Sequence, residues 1–380
     1  MICLDNGIPG SVRVRRVDER TWHVTQRALP GEQDNNHNPA WLRVRNTGSA
    51  TTVRLRLRWA EFRWMGYRRF GYLRRGTRWE AIRGVTTPRE THYEFIAPAG
   101  DTWFGSIPWY DNDSAARFLR AILRRGRRLC STQSIGTTAE GRDIPCLTVT
   151  DPSSAGRKRN VVLLTRVHAN ESSGSFAFEE IGRWLTGPEA PRELLRRCCF
   201  HMVPVANPDG VAHGIKLTRI GPPERFDMER GAMTSDDPSI AAVRQAVLGW
   251  RPAVLLDYHT YLFSPSFLYT FDRALALRML SELLATQPPD SAASWLTHIP
   301  APTPCRDGLR EHCHRTFGTQ VLVTELPWYG GRLPSEIAAQ GLGCFQAALR
   351  ATGLAGRCNA AWSSAVPLLR RRPVLHEVGT

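Results

Sequence analysis

The sequence predicts an α/β protein, with a doubly wound mixed, mostly parallel sheet preceded by a small antiparallel β-sandwich domain. Three observations carry this. Beyond residue 144, short apolar runs alternate with segments whose apolar residues recur at helical spacing, the pattern of strands and crossover helices. Before residue 107 the pattern has period two, the mark of half-buried strands. Several of the later runs end abruptly in polar residues suited to metal binding or proton transfer.

The elements follow in order. Trp41–Arg45 and Val53–Trp59 alternate apolar and polar residues, and Asn46–Ser49 between them reads as a hairpin turn. Pieces around Trp64–Tyr72, Trp79–Ile82 and His92–Ile96 continue the pattern, with Arg54, Arg56 and Arg58 coating a solvent face. The chain changes character at Trp103–Trp109. Asp111–Ser114 caps a helix over Ala115–Arg127, whose Phe118, Leu119, Ile122 and Leu123 share a face. Strands are expected at Ile144–Thr150, Val161–Val167, Phe200–Ala206, Ala253–His259 and Gln320–Leu326. Helices are expected at Ser175–Leu185, Pro238–Trp250, Arg273–Ala285 and Pro334–Thr352, the last with Pro just inside its start. The expected division is an N-terminal domain over 1–107, a catalytic domain over 108–358 and a loose tail over 359–380.

Composition narrows the function. A chain of 380 residues, 42% hydrophobic, is long enough for two domains and a large core. It holds no run of 18 apolar residues, so no transmembrane helix is expected, and its start lacks the pattern of a secretory signal. Nine scattered cysteines without a framework spacing read as reduced thiols in a cytoplasm. The net charge of +15 invites a polyanion reading, but 48 of the 50 basic residues are arginine, with Lys158 and Lys216 the exceptions. That skew reflects codon bias, and the arginines are spread along the chain. Neither specific nucleic-acid binding nor membrane binding is expected.

The chemistry sits at strand ends. Val161–Val167 leads into His168-Ala-Asn-Glu171, and both His and Glu are good zinc ligands. A strand that stops abruptly delivers such side chains to a crevice at its C-terminal end. A catalytic zinc needs three protein ligands and an open position, and His259, ending the run Ala253–His259, is a plausible third. A further run ends in Thr324-Glu325, and another in Asn207-Pro-Asp-Gly210. Cys305, His312, Cys313 and His314 match no standard zinc spacing.

Taken together, His168-x-x-Glu171, Asn207-Pro-Asp-Gly210, Asp257-Tyr-His259 and Thr324-Glu325 resemble the zinc metallocarboxypeptidases of the carboxypeptidase A superfamily, over about residues 108–350. The Arg-Val-His lead-in and the β-rich N-terminal region resemble the cytosolic carboxypeptidase branch. The resemblance implies one Zn2+ per chain held by His168, Glu171 and His259, with Glu325 as general base. Asp257 or a backbone carbonyl would orient a ligand histidine. Asn207–Gly210 would be a turn shaping the cleft floor, with Gly210 at positive φ. Arg219 fits the carbonyl-polarising role, with Lys216 as a rival. Arg230 fits the Arg that grips a terminal carboxylate.

Two departures from the family pattern matter. Glu229 stands where Asn is expected, so either it pairs with a neighbouring Arg and leaves the pocket intact, or the substrate does not present an ordinary C-terminal carboxylate. The stretch between Tyr269 and Tyr329 lacks the mobile Tyr of familiar relatives. Arg306, Arg310 and Arg315 precede the last strand, in the region that lines the family's side-chain pocket, and would favour acidic side chains. The expected partner is a peptide or peptide-like substrate, cut by a metallocarboxypeptidase that removes C-terminal residues. The alternatives are an aspartoacylase-like amide hydrolase or deacylase, and a non-catalytic binding module.

Overall fold

The computed structural model describes residues 1–8, 11–27, 39–60, 69–126, 128–220, 223–260, 267–286, 296–297, 308–326 and 328–355. Trp64, Cys305, Arg306 and the expected tail over 359–380 lie outside them.

Ten strands occupy the N-terminal region: β1 (Ile2–Asn6), β2 (Val12–Arg16), β3 (Thr21–Gln26), β4 (Trp41–Asn46), β5 (Thr51–Arg58), β6 (Phe70–Arg75), β7 (Arg78–Arg83), β8 (Val85–Thr86), β9 (Glu90–Ala97) and β10 (Gly100–Gly105). They form two five-stranded sheets, ordered β1-β4-β10-β6-β7 and β2-β3-β5-β9-β8. All pairs run antiparallel except β3 with β5, which is parallel. The period-two pattern has its expected effect. Val53, Leu55 and Leu57 are buried with Trp22, Val44 and Phe104, while Arg54, Arg56 and Arg58 face outward. Arg54 pairs with Glu94 across the ladder at 2.6 Å. Asn46–Ser49 is not a hairpin, because β4 and β5 lie in different sheets. The Asn46 amide, bonding Ser49 O at 2.8 Å and Ala97 O at 2.9 Å, fixes the crossing instead.

The second region holds one eight-stranded sheet: β11 (Cys130–Thr137), β12 (Asp143–Val149), β13 (Arg159–Thr165), β14 (Cys198–Val203), β15 (Val254–His259), β16 (Phe267–Tyr269), β17 (Leu296–Thr297) and β18 (Gln320–Glu325). Its order is β11-β12-β14-β13-β15-β18-β16-β17. The central run β14-β13-β15-β18 is parallel, so four strand C-termini open on one edge. One face is covered by helices Asn112–Arg125, Ser173–Thr186, Arg273–Thr286 and Pro334–Ala351. The other is covered by Pro238–Trp250 and Leu309–Phe317. The central strands are buried on both faces, which is why they read as continuous apolar runs. Asp111 caps the first helix by accepting from Ser114 N at 2.7 Å. Helices Ser173–Thr186 and Pro334–Ala351 cross closely at Gly341, where a Cβ would lie 2.3 Å from Ala177 Cβ.

The two regions meet through Trp41, Ile8, Trp109, Tyr110, Val205 and Val211, which pack as one cluster. Tyr72 donates to Trp328 O at 3.1 Å across the same junction. No described helix is long and apolar enough to cross a membrane.

Candidate metal centre

Strand β13 ends at Thr165, and the next residue, Arg166, takes a left-handed φ of 59°. That conformation is costly for a side chain with a Cβ and persists only where surroundings hold it. Here they do. Arg166 is fully buried, and its guanidinium donates to Ala169 O, to Tyr110 O at 2.7 Å and to Ser175 Oγ at 3.3 Å. It also lies 4.7 Å from the Trp109 ring. Burial pulls its pKa down to about 9, so it stays charged at neutral pH. This clamp shapes the loop that carries His168 and Glu171.

His168, Glu171 and His259 converge. His168 Nδ1 lies 3.0 Å from Glu171 Oε1, and His259 Nδ1 lies 2.9 Å from Glu171 Oε2. One ligand atom from each falls within 4.8 Å of the others. The two rings stand 4.9 Å apart at 72°. All three residues are buried. Thr260 N, at 3.0 Å, holds the Glu171 carboxylate from the backbone.

The far nitrogens of both rings meet carboxylates. His168 Nε2 is 3.3 Å from Asp227 Oδ1 and 3.5 Å from Glu229 Oε2. His259 Nε2 is 3.1 Å from Asp257 Oδ2, an ion-pair contact off the line a hydrogen bond needs. Carboxylates behind ligand histidines fix the tautomer and leave Nδ1 free to ligate. Asp257 is one of the two orienting groups the sequence offers, beside a backbone carbonyl; Asp227 is given no role there.

The electrostatics favour a cation at the convergence point. Burial and the nearby Lys216 ammonium oppose charge on His168, yet Glu171 and Asp227 outweigh them and hold it up at about 9. Burial likewise opposes charge on His259, but Asp257 and Glu171 raise its pKa well above the ordinary value. Burial pushes the Glu171 carboxyl up, but the two imidazoles hold it well below the usual range. Two nitrogens and a carboxylate with this preference for positive charge fit a zinc ion, whose ligation requires neutral imidazoles.

Glu325 completes the arrangement. It ends β18 directly opposite His259 at the end of β15. Its Oε2 is buried without a hydrogen-bond partner. Burial pushes its carboxyl up to about 8; Glu171 and Glu229 add to that, and His259 opposes it. An unpartnered buried carboxylate with so perturbed a pKa is costly and marks a functional position.

The remaining candidates separate. Arg219 is half-exposed, with Nε 3.2 Å from Asp237 Oδ2 and its guanidinium over the Phe226 ring, so it is engaged away from the histidines. Lys216 acts electrostatically on both His168 and Asp227, so its ammonium lies within electrostatic range of the centre. Arg230 is largely exposed, 4.0 Å from Asp227 Oδ2. Glu229 pairs with Arg310. Arg310 itself is buried behind the histidines and also lies 3.4 Å from Asp257 Oδ2. Arg315 is exposed on the helix Leu309–Phe317.

Asn207 is buried and faces inward, accepting from Gly210 N at 2.8 Å and donating to Lys216 O at 3.3 Å. It caps a short helix, Pro208–His213, where a turn was expected. Gly210 is not at positive φ; a Cβ there would lie 2.6 Å from Ala169 Cβ, against the ligand loop. The second metal reading finds no support among the described residues: Cys313 is in the core, and His314 bonds Thr319 O at 3.0 Å.

With this geometry in place, likeness to known proteins is informative. The zinc carboxypeptidase family matches residues 115–230, which include His168, Glu171 and the segment from Asn207 to Arg230. A metallocarboxypeptidase A-like protein from Trichophyton verrucosum is 30% identical over 139 residues, covering 36% of this chain and 32% of that protein. Cytosolic carboxypeptidase 2 from Homo sapiens is 34% identical over 92 residues, covering 23% of this chain and 10% of that protein. The chain thus spans about a third or less of these curated relatives. Some matching relatives are named inactive metallocarboxypeptidases. In fold, a metallo-carboxypeptidase from Burkholderia cenocepacia superposes with a TM-score of 0.76 at 17% identity, covering 93% of this chain and 99% of that one.

Proposed function

We propose, from the match of residues 115–230 to the zinc carboxypeptidase family, that this chain is a zinc-dependent hydrolase of peptide-like amide bonds, acting as a metallocarboxypeptidase on C-terminal residues. The observation that carries this is Glu325, a buried carboxylate with one oxygen unpartnered, set opposite His259 in the ladder.

His168, Glu171 and His259 would hold the metal through Nδ1, carboxylate and Nδ1. A bound zinc would supply Lewis acidity for the substrate carbonyl and would acidify the attacking water. Glu325, whose carboxyl a bound cation would lower from about 8 and so ionise, takes a proton from the attacking water and returns it to the leaving amine. Lys216 supplies positive charge for the oxygen on which negative charge develops. Asp227 and Asp257 keep the ligand rings oriented. The free thiols of the described cysteines and the cytosolic relatives fit a reducing cytoplasm.

The test is hydrolysis of a panel of C-terminal peptides by zinc-loaded protein and by Glu325→Gln. Loss of a general base costs about 10²- to 10⁴-fold in turnover with zinc still bound. Equal turnover in the two proteins contradicts the assignment.

A second reading has its own support. Glu229 stands 3.5 Å from His168, with its side chain 26% exposed. Burial opposes its ionisation, but Arg310 and the two imidazoles hold its carboxyl at about 2, so it is anionic at neutral pH. A fixed negative charge beside the centre opposes a carboxylate and favours a neutral or cationic group on the substrate. Under this reading the chain cleaves amides lacking a free terminal carboxylate. Comparing free and amidated peptides on wild type and Glu229→Asn separates the two. Carboxypeptidase activity gained in the variant favours the second; activity on free C-termini in the wild type favours the first.

A further inference from the structure

Arg310 touches neither histidine, yet it holds one carboxylate beside each: Glu229 near His168, where Asp227 also stands, and Asp257 near His259. It lies in the first turn of helix Leu309–Phe317, with its side chain 6% exposed. One nitrogen of its fork pairs with Glu229 Oε1, and Nη1 lies 3.4 Å from Asp257 Oδ2. The other oxygen of Glu229 is 3.5 Å from His168 Nε2, and Asp257 Oδ2 is 3.1 Å from His259 Nε2. Since both Nδ1 atoms meet Glu171, the contacts close a ring: Glu171, His168, Glu229, Arg310, Asp257, His259 and back to Glu171.

The surroundings explain why this position needs an arginine. A cavity of about 20 Å³ beside Arg310 is walled by Leu164, Val167, Met228 and Val243 as well as the charged groups. In such a setting a carboxylate without a partner cation is strongly destabilising. Glu229 and Asp257 come from different segments, and the planar guanidinium reaches both at once, which a single ammonium does not. The Tyr269 ring, 5.4 Å away, steadies the plane from another side.

We propose that Arg310 is a positioning residue of the metal centre: its fork sets where Glu229 and Asp257 stand, and through them the orientation of both histidine ligands. Glu229, the departure from the family pattern, and Arg310 are then a matched pair. The proposal rests on the reading of His168, Glu171 and His259 as zinc ligands.

The experiment measures zinc affinity by chelator competition for wild type, Arg310→Lys, Glu229→Gln and the double variant, together with melting temperatures of the zinc-free and zinc-loaded proteins. Arg310→Lys keeps the charge and loses the fork, and its zinc affinity is expected to fall about 10- to 100-fold. Glu229→Gln loses less, and the double variant loses less than the product of the single losses, because both substitutions cut one contact. If Arg310→Lys does not fold, a several-fold loss of zinc affinity in Glu229→Gln supports the proposal and an unchanged affinity overturns it. Unchanged zinc affinity in a folded Arg310→Lys, with both melting temperatures lowered equally, makes Arg310 a core stabiliser and overturns the proposal. Losses that multiply fully in the double variant overturn the matched pair. Absence of zinc binding by the wild type removes the metal reading itself, and this proposal with it.

Discussion

Glu325 and His259 face each other as the last residue pair of the parallel ladder between β15 and β18. Leu326 N donates to His259 O at 2.9 Å just beyond, so the pairing is held by backbone as well as by register. Two residues far apart in sequence thus become neighbours because two apolar strands stop at the same level. Their side chains inherit that position, and the site is built on strand ends where geometry is rigid.

The cation nearest the reacting carbonyl is a matter of placement. Lys216 acts on His168 and Asp227, whereas Arg219 is engaged with Asp237. Lys216→Ala is therefore expected to lower turnover by about 10²- to 10³-fold, the usual cost of removing a group that stabilises the developing oxyanion. Arg219→Ala is expected to change it by only a few-fold. Steady-state kinetics on both variants checks this, and the reverse order would return the part to Arg219.

Arg166 is a structural clamp with a measurable contribution. Arg166→Met would leave Ala169 O and Tyr110 O without their donor, at about 1–3 kcal/mol for each buried group. Denaturant unfolding should show a loss of about 2–6 kcal/mol in total, with weaker zinc binding because the ligand loop relaxes. A loss below about 0.5 kcal/mol, the scale of an ordinary surface substitution, would show that the loop holds its shape without the clamp.

His201 gives a pH prediction away from the centre. Its ring stacks on Trp250 at 4.3 Å, and burial pulls its pKa down to about 4 from the ordinary 6.5. Between those values the unfolded chain binds a proton that the folded one does not, so stability falls as pH drops from 6.5 toward 4. His201→Asn is expected to show a shallower fall over that window. Urea midpoints at several pH values read it, and parallel curves for the two proteins would rule out His201 as the source.

Much of this molecule was legible in its sequence, for identifiable reasons. Helix Pro238–Trp250 has the limits expected of it, because Asp237 and Pro238 mark its start and Arg251 its left-handed end. The buried strands were readable because both faces are covered. By contrast β11 is a polar edge strand of Ser, Thr and Gln with little buried, so it carries no apolar alternation. The candidate ligands His168, Glu171 and His259 are readable as such because each ends or follows an apolar run. Arg310 reads from sequence as a pocket-lining residue, and its contacts with Glu229 and Asp257, like that of Asp227 with His168, are made across the fold, by a helix turn and a loop brought to the backs of two histidines. The direction of Arg219 depends on Asp237, a helix cap whose second use nothing in the spacing reveals.

The central claim is a zinc held by His168, Glu171 and His259, and its most direct test is the zinc content of purified protein beside that of His168→Ala, each with a thermal melt to confirm folding. The account predicts about one zinc per chain in the wild type, lost in a variant that still folds. A well-folded wild type that takes up no zinc would contradict it.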